Sequence, residues 1–160
     1  MSEPIVERIA QWLLTQLGKV KSPTYHQTLT VVRPLDPAGS AEPIVDLSCV
    51  LENGERGEAG KPTQTHRHKR QTFYVSVYLL GDVGGVAVDQ RSNRVVADIE
   101  RALAADVLTH VGGDTLCGGL AYRMQVGDPE DWIDRSRQAL VVIIPIEVDY
   151  KVKITDPYSQ

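Results

Sequence analysis

The feature that most constrains this chain is a long alternating segment close to its C-terminal end, residues 138–154. Every even position in it from 140 onwards is apolar, whereas the odd positions change from Ala139, Val141 and Ile143 to charged residues. Alternation with a period of two predicts one β-strand with one face on a core. At about 3.3 Å per residue this strand would span roughly 55 Å, more than the roughly 40 Å diameter of a compact domain of this length. We therefore expect it to bend, split or leave the body, and in the last case another chain would have to cover its apolar stripe.

Length and composition indicate one globular domain, residues 1–160, with an extended polar tail from about residue 155. The chain has 160 residues, 42% hydrophobic and 24% charged, which is typical of soluble globular proteins. A net charge of −4 argues against a general nucleic-acid binder. No apolar stretch reaches the roughly 18 residues of a membrane span, and the first residues show no leader pattern. We expect no membrane contact, assembly in a cytoplasm, and free thiols at Cys49 and Cys117.

The pattern of elements predicts an α+β fold. Its order is α-β-β-β-α-β-β, an antiparallel sheet of mixed-length strands with two helices packed on one face. Helices are expected over residues 4–17 and 93–107, capped by Ser2 and by Ser92 or Asn93. Strands are expected over residues 28–33, 44–52, 70–80, 120–126 and 138–154, with the first two antiparallel. The segment 53–65, rich in Gly and Pro, is predicted to be an irregular loop that is mobile in the free subunit.

No motif of catalysis or cofactor binding is present. The phosphate loop, the nucleophile elbow and the paired-cysteine zinc pattern are all missing. His66 and His68 share a strand face and could ligate a metal, but no third ligand is near, so a solvated basic strand entry is favoured and contact with DNA phosphates stays open. The acidic segment around Trp132 lacks the calcium-loop glycine and predicts a solvated loop that Trp132 anchors. Pro145 predicts an edge, a bulge or a bend. We expect no catalytic residue, no metal and no cofactor.

The organisation of the chain resembles the tail terminator proteins of long-tailed bacteriophages. The resemblance lies in the opening helix, the strand pair, the Ala-Asp-Ile-Glu-Arg-Ala-Leu core of the second helix, the Gly-Gly-Leu-Ala segment at 118–121, the Val-Asp-Tyr that ends the last strand, and the closing Asp-Pro-Tyr-Ser-Gln. It implies a structural virion protein and not an enzyme. Such proteins form a hexameric ring at the tail-neck junction, which caps the tail tube, ends its polymerisation and offers its other face to a head-side connector or neck protein. Genomic DNA would pass through the channel without specific binding.

Ring closure requires two different patches on each subunit. The residues expected to supply them come from the basic stretch, the long strand and the tail: Arg67, Lys69, Arg70, Val141, Ile143, Pro145 and Tyr158. The negative net charge would discourage DNA from adhering inside the channel. Two alternatives remain: a head-to-tail connector or stopper subunit, and a small α+β enzyme or ligand-binding domain that uses the face of Tyr74, Tyr78 and His68.

Overall fold

The computed structural model describes residues 3–33, 45–81, 85–104 and 116–160, and it has the predicted α+β class. In chain order the elements are α1 (Ile5–Leu17), β1 (Thr30–Val32), β2 (Ser48–Glu58), β3 (His66–Leu80), α2 (Val88–Ala104), α3 (Leu116–Gly119), β4 (Arg123–Val126), β5 (Glu130–Asp134) and β6 (Ala139–Lys153). The short turn α3 and the strand β5 are additions to the predicted order. β5 lies inside the acidic segment that the sequence predicts to be a loop.

Both long helices pack on one face of the sheet, which we call the covered face, because each carries an apolar stripe at helical spacing. The apolar core combines these stripes with alternate residues of β3 and β6. Its largest members include Ile5, Ile9, Leu13, Phe73, Leu79, Ile99, Leu103, Ile144 and Ile146. The even positions of β6 thus lie on the core, as their alternation predicts. Neither Cys49 nor Cys117 forms a disulfide, and both are buried.

Helix α2 begins earlier than the sequence predicts. It starts at Val88, so Ser92 lies inside the helix and not at its cap, and Ser92 Oγ donates to Asp131 Oδ1 at 3.3 Å. The end of the predicted helix, after residue 104, falls outside the described residues. So does Ser2, the predicted cap of α1. Pro4 occupies the cap position of α1 and makes no side-chain capping bond.

The sheet has the order β1-β2-β3-β6-β4, and β5 pairs with β6 beside β4. All pairs are antiparallel except β1–β2, which is parallel, with Thr30 opposite Ser48. The prediction of an antiparallel first pair is therefore wrong. Parallel strands need a connection long enough to return to the same end of the sheet. The 15 residues from 33 to 47 are long enough for such a connection.

The long strand β6 is continuous and does not split. It pairs with β3 over all 15 of its residues, from Ala139 opposite Leu80 to Lys153 opposite His66. At about 3.3 Å per residue this ladder is about 50 Å long. Two shorter strands share its other side, because β5 covers its beginning and β4 its middle.

Pro145 lies where β5 has ended and β4 has not begun. β5 reaches Ile143 and β4 begins opposite Ile146, so residue 145 faces a gap between them. The Pro145 carbonyl accepts from the Gly127 N–H at 2.8 Å, so the missing N–H of Pro145 points to that gap and removes no bond to β3. A Cβ at Gly127 would lie 2.8 Å from Pro145 Cγ, so this close contact between Gly127 and Pro145 requires glycine.

The segment predicted to be an irregular loop is mostly a β-hairpin, which we call the distal hairpin (residues 53–72). β2 runs to Glu58 and β3 begins at His66, so the prediction is wrong for residues 53–58. The register shifts between Asn53 and Arg56, and Gln71 Nε2 donates to the carbonyl oxygens of Gly54 and Glu55, both at 3.2 Å. The mobility predicted for the whole segment assumed an irregular loop, and that assumption does not hold for residues 53–58.

Gly54 has a packing role that the sequence does not reveal. A Cβ at this position would lie 2.3 Å from the Tyr74 ring, so the ring rests directly on the β2 backbone. Glycine is present here because of that close approach. In the sequence the same residue looks like a sign of loop structure.

Candidate interface surfaces

The second face of the sheet, which we call the open face, carries the side chains that point away from the apolar core. In one half of it, cross-strand pairing brings together mostly apolar residues of β3 and β6. The pairs are Tyr78 with Val141, Ser76 with Ile143, and Tyr74 with Pro145. None of these six residues belongs to the core cluster on the covered face. We call them the apolar patch.

Within the apolar patch, Val141 is already closed off by its own chain. Its residue exposure is 2%, with Tyr78 opposite on β3 and Trp132 opposite on β5. The Arg137 guanidinium lies 5.8 Å from the centre of the Tyr78 ring. Burial raises the pKa of Tyr78, although Arg137 acts in the opposite direction. Ile143 and Pro145 are half-buried, so they offer a partner more surface than Val141 does.

The edge strand β5 presents the two most exposed large apolar side chains of the described residues. Trp132 is 55% exposed and Ile133 is 65% exposed. Among the described strands, β5 pairs with β6 alone, which leaves its outer backbone edge open. The prediction that Trp132 anchors a solvated loop is wrong. The sequence signal for this strand is the adjacent apolar pair Trp132 and Ile133, which lies between acidic residues.

The other half of the open face is a charge cluster centred on Asp149. Arg70 Nε and Nη2 donate to the two Asp149 carboxylate oxygens at 2.7 and 2.9 Å, and Arg123 Nη1 donates to Asp149 at 3.1 Å. Arg123 Nη1 also donates to Glu147 at 2.8 Å. The bond to Asp149 raises the pKa of Arg70 further above its ordinary value. Arg70, predicted as an interface residue, is thus bound within its own chain.

The remaining predicted interface residues lie outside both the apolar patch and the charge cluster. Arg67 and Lys69 alternate with Arg70 on β3, so they occupy the covered-face side of the distal hairpin. Lys69 lines a groove of about 370 Å³ together with residues that include Pro4, Tyr150 and Pro157. Tyr158 is 42% exposed, in a turn where its N–H donates to Asp156 at 3.0 Å. The seven predicted residues therefore form three separate groups and not one surface.

Two kinds of site are not found in the described part of the chain. No group of three or more His, Cys, Asp or Glu side chains is placed to hold a metal ion. No helix in the described ranges is both long and apolar enough to cross a bilayer.

Comparison with known proteins gives little further guidance. No protein-family model matches the chain, and no curated protein matches it. The chain superposes on one from a solved structure described as "Virion of native gene transfer agent (GTA) particle", with a TM-score of 0.46 and 12% sequence identity, over 93% of this chain and 92% of that one. A likeness at this level carries no conclusion about function.

Proposed function

We propose that this chain is a structural virion subunit that assembles into a closed homo-hexameric ring at the tail-neck junction. The ring caps the tail tube, ends its polymerisation and offers its other face to a head-side connector or neck protein. The sequence resemblance to tail terminators motivates this function. The observation that carries the assembly part is the open edge strand β5 with Trp132 and Ile133 more than half exposed.

Two different edges of one sheet suit a ring. The outer side of β2 beyond Leu51 has no strand partner among the described residues, and β5 forms the opposite edge. Head-to-tail association in a ring joins two different surfaces of identical subunits. Open strand edges can supply backbone hydrogen bonds to such contacts, and exposed apolar side chains supply buried area.

The enzyme alternative gains no support from the geometry. Its candidate residues His68 and Tyr78 lie on one strand ten positions apart, which corresponds to about 33 Å. Those two side chains cannot converge on one small substrate. The connector or stopper alternative predicts the same kind of ring and differs in its partner, so tube binding separates it from the tail terminator function.

Substitution of the β5 edge tests the assembly proposal. The double variant Trp132→Glu, Ile133→Lys places charges on the exposed edge and should abolish rings while the monomer stays folded. Ile154→Lys is the matched control, because Ile154 is 43% exposed just after β6, 11 residues beyond Ile143, the last residue of β6 that pairs with β5. Loss of rings in the double variant alone, by native mass spectrometry and electron microscopy, is the expected result. Rings of unchanged abundance in the double variant would contradict the role of β5.

A further inference from the structure

The groove of about 370 Å³ lies where β6 and the distal hairpin meet the start of α1 and the C-terminal turn, and we call it the hairpin groove. Its apolar lining comes from α1, β6 and the turn: Pro4, Val6, Tyr150, Val152 and Pro157. Ile154, the control position above, lies outside this lining. The volume is within the range of sites that hold one large group, about 300–1,000 Å³. The ring proposed above leaves the hairpin groove without an occupant.

The charged part of the groove lining is more basic than acidic. Its cations are Arg56, Lys69 and Arg70, and its acid is Glu58. Glu58 lies opposite Lys69 in the β2–β3 ladder. Arg70 is hydrogen-bonded to Asp149. Arg56 is exposed, and the residue opposite it on β3 is neutral. An apolar side chain with a carboxylate beside it would therefore complement both the apolar lining and Arg56.

The edge strand β5 presents this combination of groups. Trp132 is 55% exposed and lies opposite Val141, on the side of the open face. Glu130, two positions earlier, is exposed and shares that face, because strand residues alternate. The whole of β5 carries three carboxylates and no cation. An indole ring can bury about 150–250 Å², and its N–H can donate to a hydroxyl group such as that of Tyr150.

Trp132 cannot reach the hairpin groove of its own chain. On β6, Val141 lies opposite Trp132, and Tyr150 lines the groove nine positions further on, which corresponds to about 30 Å. Val141 belongs to the open face and Tyr150 to the core on the covered face. The strand that fills the groove must therefore come from another copy. A contact between two different surfaces of successive copies is the kind that closes a ring.

We propose that the hairpin groove of each copy receives Trp132 of the next copy, with Glu130 of that copy beside Arg56. This inference rests on the proposed ring and names the contact between its subunits. Trp132 is the apolar anchor of the contact, and the carboxylate–guanidinium pair fixes its orientation. Residues 56–58 of β2 line the groove beyond the part of β2 that β1 covers, so the contact joins the two sheet edges described above.

Reversal of one charge on each side tests the pairing. Arg56→Glu and Glu130→Lys each place like charges in contact, so each should raise the concentration at which half of the chains are in rings by about tenfold or more. The two substitutions combined in one chain restore opposite charges at every contact and should return that concentration to within about threefold of wild type. Native mass spectrometry over a dilution series measures it, and circular dichroism checks that each variant is folded. A double variant whose loss is the sum of the two single losses would overturn the pairing.

Cross-linking between copies tests the contact without requiring closed rings. Gly57 lines the groove and has open space at its Cβ position, so Gly57→Cys introduces a thiol there. Mixed with a Glu130→Cys chain and a short bismaleimide, this variant should give cross-linked dimers. Cys49 and Cys117 are buried and should not react. Gly81→Cys is the matched control, because its Cβ position is equally open but lies outside the groove, and it should give only the background yield.

The two experiments, carried out on the protein alone and with tail tubes, separate this contact from the ring itself. Rings that form without the specific cross-link and without rescue by the double variant would leave the proposed function standing and overturn the groove contact. Specific cross-links between chains that form no closed ring would support the contact and contradict the ring. Absence of both rings and specific cross-links would overturn both proposals.

Discussion

Replacing Asp149 by asparagine should destabilise the fold, because this side chain is the centre of the charge cluster. Its carboxylate is 4% exposed and accepts bonds of 2.7 and 2.9 Å from Arg70 and 3.1 Å from Arg123. Breaking a buried ion pair costs about 3–5 kcal/mol. Here the two guanidinium groups are 35% and 43% exposed, so water screens part of the interaction. We expect Asp149→Asn to lower the free energy of unfolding at pH 7 by about 2 kcal/mol, or about 4–8 °C in Tm for a chain of this size.

The same effect has a defined dependence on pH. Burial acts to raise the pKa of Asp149, but the hydrogen bonds from Arg70 and Arg123 outweigh it and hold the pKa below its ordinary value. A carboxyl group whose pKa is lower in the folded than in the unfolded protein stabilises the fold at any pH above its pKa in the unfolded state. This contribution is lost as the pH falls through its pKa in the folded state. The difference between wild type and variant should be full above about pH 5 and shrink below about pH 4.

Urea unfolding at pH 7, 5 and 3, followed by far-UV circular dichroism, measures both quantities. Glu147→Gln is the matched control, since Glu147 is 34% exposed and belongs to the same cluster. It should cost less than about 1 kcal/mol, as expected for a partly exposed pair. The reasoning is refuted if the two variants lose equal stability, or if the Asp149→Asn deficit persists undiminished at pH 3.

Three further changes test the packing. Gly127→Ala should lower the free energy of unfolding in urea by about 1–3 kcal/mol, because the new Cβ meets Pro145 Cγ at 2.8 Å. The control Gly57→Ala, whose Cβ would have nothing within 4 Å, should change it by no more than about 0.5 kcal/mol. Equal effects of the two variants would contradict the close contact of Gly127 with Pro145. Burial raises the pKa of Cys49 to about 12, so a thiol reagent at pH 8 should label it only as fast as the protein opens, and rapid labelling of the native protein would show that this burial is wrong. Gln71→Leu should destabilise the chain by about 1–3 kcal/mol, because the carbonyl groups of the bulge lose their donor; unchanged stability would contradict this role of Gln71.

The sequence predicts the parts of the fold in which one face of an element is buried. The even positions of β6 and the stripe of α1 lie on the core as expected, because burial imposes a period on the residues it covers. The first half of the distal hairpin escapes prediction for the opposite reason. Residues 53 and 55–58 are exposed, so they carry no alternation, and the half-buried Gly54 is there to admit the Tyr74 ring.

The candidate interface is less predictable because it depends on which faces meet. Val141 is apolar, as an interface residue should be, yet cross-strand neighbours cover it. The sequence pattern predicts that Arg70 is solvated. Its partner Asp149 is 79 residues away in the chain, and the pair can be recognised only once the register of β3 against β6 is known. Trp132 and Ile133 were within reach of prediction, because two adjacent apolar residues point to both faces of a strand and one of them must face solvent or a partner.

The most direct test of the central claim is the mass of the assembled chain. Native mass spectrometry and electron microscopy of the purified protein, alone and mixed with tail tubes, should show closed rings of six copies of the 17.6-kDa subunit, either free or on tube ends. A protein that remains a monomer at high concentration and leaves tube ends bare would contradict the account.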